Sequence, residues 1–443
     1  MSFPRYPSYQ ESGVQWLGEV PVTWDVAPLK AVSTYNDEVL DESTDPNTEL
    51  SYVDISSVDA NAGIVSVETI KFASAPSRAR RVVRHGDVIV STVRTYLKAI
   101  AQIREPAPNL VVSTGFAVIR PRRRVTADFL GYLLRAGYFL EQVIARSTGV
   151  SYPTISASDL ASISIPLPPT DDQRRIAAFL DRETAKIDAL IAEQQRLMEL
   201  LKEKRQAVTS HAVTKGLNPV APMKPTGIEW LGDVPEHWNC TALTRIATRV
   251  VVGIAEAATH AYVDHGVPIL RSTNIRAGSI VGELLSIDPA FAGDRESKLI
   301  HSGDLVTVRT GNAGVTVVVP PELDGCQCFT MLITTLNSTS SAHYYSYWMN
   351  SAPAQCYFTL EGWGTAQVNI SVPILKALPV PVPPTDEQRR IVAFLDTEVG
   401  KLEALVSEAR RAIVLLQERR SALVSAAVTG RIDVRGSVRS AVA

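Results

Sequence analysis

Apolar residues from Ile176 onward fall at alternating spacings of four and three: Ile176, Leu180, Ile187, Leu190, Leu197 and Leu201, with Glu183, Gln194 and Lys204 at the intervening seam positions. A second run, Ile391, Leu395, Leu402, Leu405, Leu416 and Leu423, follows the same template with Glu398, Ala409, Ala412 and Arg419 in the gaps. A period near 3.5 predicts a long amphipathic helix with a coiled-coil seam in each place. No Pro or Gly interrupts 171–213, and Gly400 is the one breaker in the second run. At 1.5 Å per residue the seam from Ile176 to Val208 is roughly 48 Å long. A stripe of that length needs a mate, and each helix is the other's. An antiparallel pairing brings Glu183 near Arg419 and Glu398 near Lys204, whereas a parallel one stacks like charges.

The helices begin alike because the chain is duplicated. Residues 166–183, PLPPTDDQRRIAAFLDRE, and 381–398, PVPPTDEQRRIVAFLDTE, share 14 of 18 positions at a constant offset of 215. Thr170 with Gln173, and Thr385 with Gln388, read as capping boxes, and paired prolines hold the preceding chain extended. A second duplicated block, Gly13–Pro21 with Trp24 against Gly227–Pro235 with Trp238, reads as an arm anchored on a core. A period of nearly half the chain means a duplicated domain with a pseudo-twofold relation.

Between these blocks the halves diverge. Residues 34–120 and 248–335 both read as short strands with turn punctuation, predicted at 50–55, 82–92 and 110–119, then at 269–272, 305–309 and 315–319. Gly86-Asp87 and Gly303-Asp304 are turns feeding strands. Helices are predicted at 128–146 and 342–357, their aromatic stripes read as core. The fold class is therefore α+β: two β-rich domains with short helices, held apart by two long helices in an antiparallel coiled coil.

Donor-rich side chains follow each Gly-Asp turn: Ser91, Thr92, Arg94, Tyr96 and Lys98 in one half, Thr307, Arg309, Thr310 and Asn312 in the other. Such side chains meet phosphates and base edges. A glycine-containing segment precedes Ile155 and Ile370. It carries Ser151 and Tyr152 in the first half and Gln367 and Asn369 in the second, and reads either as a backbone cradle for phosphate or as a tight turn.

Charge sharpens this reading. The chain of 443 residues has a net charge of only −2, yet 71–124 holds twelve basic residues, Arg78, Arg80, Arg81 and Arg84 among them, against Asp87 and Glu105, a net of +10. That density is an electrostatic footprint for a polyanion. In 245–319 seven basic residues, including Arg271 and Arg295, are balanced by seven acids, including Glu256, Asp294 and Glu296. The first half is therefore expected to supply more of the salt-dependent affinity. Four cysteines, no apolar leader and no long apolar run fit a soluble protein of a reducing, cytoplasmic compartment with no membrane partner.

Catalytic motifs are sparse. No phosphate-binding loop, no Gly-x-Gly-x-x-Gly and no Asp/Asn-Pro-Pro-aromatic motif occurs. Asp288 with Glu296 and Lys298 is a chance echo of a nuclease pattern, and Cys326 and Cys328 near His301 and His343 read as structural thiols rather than zinc ligands. A stand-alone nuclease or methyltransferase would need a site that is not legible here. A coiled-coil adaptor would account for the helices but not for two β-rich domains or the +10 segment.

The twin Pro-Pro-Thr-Asp-x-Gln-Arg-Arg-Ile helix starts, the twin Trp-Leu-Gly-x-Val-Pro blocks, the Gly-Asp turns and the segments before Ile155 and Ile370 resemble the specificity subunit of type I restriction-modification systems. The resemblance covers essentially the whole chain in the same order. It implies target-recognition domains at 1–165 and 218–380, a conserved helix at 166–217, and a second helix with a tail at 381–443. It further implies a non-catalytic chain that binds double-stranded DNA and joins two methyltransferase subunits and, in the full complex, restriction subunits. S-adenosylmethionine, ATP and Mg²⁺ would belong to those partners, with no cofactor in this chain. Two unlike reading domains predict an asymmetric bipartite target, and a seam of roughly 48 Å corresponds to about 14 base pairs at 3.4 Å each.

Overall fold

Strands that are buried at every position must be covered on both faces, and the two central strands of this chain, Val88–Ser91 and Leu305–Thr307, obey that rule. In the computed structural model, which describes residues 3–60, 62–255, 259–293, 296–364 and 367–437, the chain divides into two units. Unit 1 comprises 1–194 and 411–443, and unit 2 comprises 195–410. Glu256, Asp294 and Arg295 lie outside the described residues, as do Thr365 and Ala366 and the side chain of Glu296.

In unit 1 the central sheet runs in the order Ile100–Gln102, Val88–Ser91, Phe116–Pro121, Ser33–Tyr35, all antiparallel. Val88, Val90, Ala117 and Ile119 point to a core shared with helices, while Ile89, Phe116 and Val118 point to a core shared with a second sheet. This alternation is the period-two geometry of a strand clamped between layers. The second sheet has the order Glu68–Lys71, Glu49–Val53, Leu110–Ser113, Ala79–Val82, its middle pair parallel.

Unit 2 repeats the plan. Its central sheet runs Thr316–Val318, Leu305–Thr307, Leu332–Leu336, Ala247–Val252, with Leu305 and Leu332 toward the helices and Val306 and Ile333 toward the second sheet. That second sheet runs Tyr262–Val263, Leu285–Ile287, Val267–Leu270, Gln327–Cys328, again with one parallel pair. The divergence is at the edges: unit 1 adds a strand beside Leu110–Ser113, unit 2 one beside Leu285–Ile287.

Several elements are finer than the sequence pattern suggests. The segment 110–119 is two strands in different sheets, turned at Thr114-Gly115, and 82–92 breaks at His85-Gly86. The helix predicted at 128–146 is two, Ala127–Arg135 and Gly137–Arg146, because Ala136 is extended at ψ 144°. The one predicted at 342–357 is Ala342–Met349 and Ala352–Glu361, with Pro353 opening the second. The aromatic stripes are core: Phe129, Tyr132, Tyr344, Tyr345 and Trp348 are buried, as are Trp24 and Trp238.

The long helices span Thr170–Lys215 and Thr385–Val428. Each unit takes the start of one and the end of the other. Ile176, Phe179 and Leu180 share the unit 1 core with Val424, Ala427 and Val428, and Asp188 meets Arg420 at 3.0 Å. Ile391 and Leu395 share the unit 2 core with Ala212 and Val213, and Glu403 meets Arg205 at 3.3 Å. Within each unit one helix ascends as the other descends, so the pairing is antiparallel. The register differs from the expected one. Glu183 pairs with Arg182 and Lys186, and Glu398 with Lys401, local partners that remove the need for Arg419 and Lys204. Among the seam residues, Ile176, Leu180, Ile187, Leu201, Ile391, Leu395 and Leu402 are buried, and Leu416 and Leu423 are half-buried. Leu190, Leu197 and Leu405 are exposed, a correction to the continuous seam: two helices cannot cover a stripe that drifts around a 3.6-residue helix.

The glutamines expected to cap these helices do something else. Gln173, fully buried, donates from Nε2 to the carbonyls of Pro168 and Arg124, both 2.9 Å, and accepts from the Thr126 N–H at 2.8 Å. Gln388 donates to Pro383 O at 2.9 Å and accepts from the Ser341 N–H at 2.8 Å. The side chain thus ties each long helix to the N-terminus of a short helix of the same unit, Ala127–Arg135 or Ala342–Met349.

Candidate nucleic-acid interface

In each unit two loops meet beyond the end of the central strand. After Val88–Ser91 the chain forms a connection whose Thr92 carbonyl accepts from Ile155 N at 2.9 Å, and Val93 bridges Thr154. After Leu305–Thr307 the Arg309 carbonyl accepts from Ile370 N at 3.0 Å, and Thr310 bridges Asn369. The second loop of each pair turns at Gly149 (φ 106°) or Gly364 (φ 111°), a backbone conformation open to glycine. The duplicated glycine thus turns the chain in each copy, and the loop pair sets Tyr152 beside Arg94 and Asn369 beside Thr310.

The Arg94 guanidinium lies 4.9 Å from the Tyr152 ring centroid, and Tyr96, Lys98, Tyr152 and the wholly exposed Val150 stand in solvent around it. Thr95, buried, anchors the turn through its hydroxyl to Ser147 at 2.8 Å. In unit 2 the Thr310 hydroxyl bonds Asn369, with Asn312 and Gln367 exposed and Trp363 56% exposed. Trp363 and Val150 were not among the expected site residues; an aromatic or aliphatic residue beside a turn glycine, outside any periodic element, is the signal that marks them.

Two expected donors are internal. Ser91 is buried and its hydroxyl donates to Val93 O at 2.6 Å; Thr307 is fully buried, its hydroxyl against that of Thr316 at 2.9 Å. Strand alternation turns both inward, while Thr92, half-buried, donates to Gly115 O at 2.9 Å.

The +10 segment is partly discharged by carboxylates from elsewhere in the chain. Arg78 meets Asp54 at 2.8 Å, Arg84 meets Glu38 at 2.6 Å, Arg104 meets Asp181 at 3.1 Å and Arg124 meets Asp25 at 2.8 Å. Arg120 chelates Asp87, the buried carboxylate of the Gly-Asp turn, at 2.9 and 2.8 Å, and Arg249 donates a single bond to the equivalent Asp304 at 2.7 Å. Lys71, Arg80, Arg81, Arg94, Lys98, Arg122 and Arg123 have no ion-pair partner among the described residues; Arg80 lies 4.7 Å from the Phe72 ring centroid. Arg81, Arg271 and Arg309 each bury an Nε that lacks a hydrogen-bond partner, and burial lowers the Arg81 pKa. Unpaired guanidinium groups of this kind are suited to a polyanion.

No group of three or more His, Cys, Asp or Glu side chains among the described residues could hold a metal ion. Cys326 and Cys328 are buried, and burial pushes the Cys326 thiol up to about 12. No described helix is long and apolar enough to cross a membrane.

Two copies of one β-rich fold, each presenting unlike, cation-bearing loops from the same place in its frame, define a duplicated DNA-reading scaffold. The family model described as type I restriction modification DNA specificity domain matches residues 21–200 and 262–407. The type I restriction enzyme EcoKI specificity subunit of Escherichia coli (strain K12) is 24% identical over 335 residues, 72% of this chain and 68% of that subunit. The putative type I restriction enzyme MjaX specificity subunit of Methanocaldococcus jannaschii is 21% identical over 433 residues, 95% of this chain and 96% of that one. Among solved structures, a chain from work on complex assembly and conformational transition of the type I R-M system aligns with a TM-score of 0.73 at 24% identity, covering 95% of this chain and 99% of that one. The HsdS subunit from Thermoanaerobacter tengcongensis gives 0.52 at 24% identity, covering 93% and 98%. The chain belongs to the family of type I restriction-modification DNA specificity domains. It is a DNA sequence-specificity subunit, a component that selects the target without an active site of its own.

Proposed function

We propose that each unit reads one half of an asymmetric bipartite DNA site, unit 1 through Arg80, Arg81, Arg94, Tyr96, Lys98, Ser151 and Tyr152, and unit 2 through Arg271, Arg309, Thr310, Asn312, Gln367 and Asn369. Arg78, Arg84 and Thr92 flank that surface with their side chains already bonded within the protein. The observation that carries the reading is the loop pair at equivalent places in two copies with unlike residues at the tips. Phosphate contacts fix register and base-edge donors give sequence; a common frame with different tips supplies both, once per half-site. The target-recognition domains are taken as 1–165 and 218–380, with 166–217 and 381–443 as the helical parts between and after them.

The long helices dock two methyltransferase subunits, with restriction subunits joining the full complex; the exposed Leu190, Leu197, Leu200, Leu405 and Leu415 are the apolar surface available for that purpose. S-adenosylmethionine, ATP and Mg²⁺ are bound and used by those partners, in the cytoplasm. The test is to sequence methylated adenines in a host genome with and without this gene. The expected result is one gene-dependent motif of two unlike halves around an unread spacer. A palindromic motif overturns the reading.

A further inference from the structure

The connection between Val88–Ser91 and Ile100–Gln102 is a short 3-10 turn, Thr95–Leu97, bracketed by Arg94 at φ 50° and Lys98 at φ 53°. Both are left-handed conformations that a β-carbon disfavours. The corresponding connection of unit 2, between Leu305–Thr307 and Thr316–Val318, also takes positive φ twice, but at Gly311 (87°) and Gly314 (88°). The same hairpin can thus be closed without strain by glycine, and unit 1 closes it with two cations instead. Strain of this sort is held where the side chains have work to do.

What the strained turn displays is specific. Thr95 points inward and is pinned to Ser147, so Tyr96 (53% exposed) and Leu97 (41%) are pushed out at the apex. Arg94, stacked on Tyr152, and Lys98 flank them, and neither cation has a carboxylate partner among the described residues. A rigid aromatic-aliphatic tip between two unpaired cations matches the wedge-and-clamp arrangement by which proteins part a base step while gripping the adjoining phosphates. Gly311 and Asn312, at the unit 2 apex, offer no such wedge.

We propose that the Tyr96–Leu97 tip inserts into the duplex and unstacks one base step in the half-site bound by unit 1, while the half-site bound by unit 2 stays stacked. This rests on the DNA-reading function proposed above. Once the methylated motif is known, duplexes carrying 2-aminopurine at each position of either half, other than the methylated adenine, are mixed with the full chain and its methyltransferase subunits. Fluorescence is expected to rise severalfold at one position in one half only. Y96A/L97A removes that rise, Y96F/L97M keeps it, and R94A/K98A weakens binding and flattens its salt dependence by about two contacts' worth. Bound DNA with no rise at any position, a rise in both halves, or a rise that survives in Y96A/L97A overturns the insertion but leaves the recognition reading intact. Failure of the unaltered complex to bind the motif overturns the recognition reading itself.

Discussion

Replacing Gln173 by alanine isolates the contribution of the residue that ties the first long helix to its recognition fold. The side chain is fully buried and satisfies three main-chain groups, Pro168 O, Arg124 O and Thr126 N–H. At about 1 kcal/mol net for each buried bond lost, Gln173→Ala costs about 3 kcal/mol, and Gln388→Ala, with its two bonds, about 2 kcal/mol. The difference of about 1 kcal/mol is roughly a fivefold change in an unfolding equilibrium. Urea unfolding of the full chain measures the loss, and hydrogen exchange locates it. Q173A should accelerate exchange at 124–126 and 168–173, Q388A at 339–341 and 383–388. Gln173→Glu keeps the acceptor for Thr126 but loses the donors and buries a carboxyl whose pKa burial raises, so its folded state binds the proton more tightly than the unfolded one. Its stability should therefore improve as pH falls toward that raised pKa. A Q173A protein within about 0.5 kcal/mol of the unaltered chain, or one whose exchange rises equally in unit 2, would refute the assignment.

Asp304→Ala strips the buried partner of Arg249 (2.7 Å), Thr335 (2.6 Å) and the His301 N–H (2.9 Å), and should cost about 3–5 kcal/mol, seen as faster proteolysis of unit 2. Gly364→Ala places a Cβ 2.3 Å from the Gln367 carbonyl at φ 111°, against 3.1 Å from Tyr152 O for Gly149→Ala; G364A should abolish methylation of the full site without unfolding the chain, and G149A only reduce it. The Arg435 guanidinium holds the Asp433 carboxyl below its usual range. Because the folded pKa is depressed, this stabilisation is present above the ordinary carboxylate pKa near 3.9 and is lost as pH falls through the folded value. Asp433→Asn should thus lower stability by about 1–2 kcal/mol at pH 7, and the gap in thermal midpoint should close in strong acid.

The duplication and the two helices were legible because their signals are local: a heptad stripe, a proline pair and an 18-residue repeat need no knowledge of tertiary contacts. The helix register was not. Glu183 satisfied itself with Lys186 one turn away, so complementary charge on the opposite helix carried no register information. The +10 segment misled for a related reason: a window along the chain counts Arg84 and Arg124 but omits Glu38 and Asp25, which the fold brings to them. Ser91 and Thr307 look like donors in a list of residues, yet strand alternation faces both into the core. The glycines before Ile155 and Ile370 stand out in the sequence, and the structure shows what needs them there: a positive φ at Gly149 and Gly364.

That the two loop pairs are fixed by main-chain bonds, Ile155 N to Thr92 O and Ile370 N to Arg309 O, has a consequence for how such a protein can change its target. A main-chain bond places no demand on the side chains at either end, so Arg94 or Tyr152 can be exchanged without moving the loop that carries it. The constraint falls instead on residues behind the loops: Thr95 with Ser147, the Gly-Asp turns with their arginines, and Gln173 and Gln388. Substitutions at the tips should therefore alter the methylated motif in one half while leaving the unfolding free energy from urea titration within about 0.5 kcal/mol, the range of surface changes. Substitutions behind them should lower stability and, at sublethal loss, leave the motif unchanged. A tip substitution that destabilised the chain by several kcal/mol would mean that frame and tip are not separable.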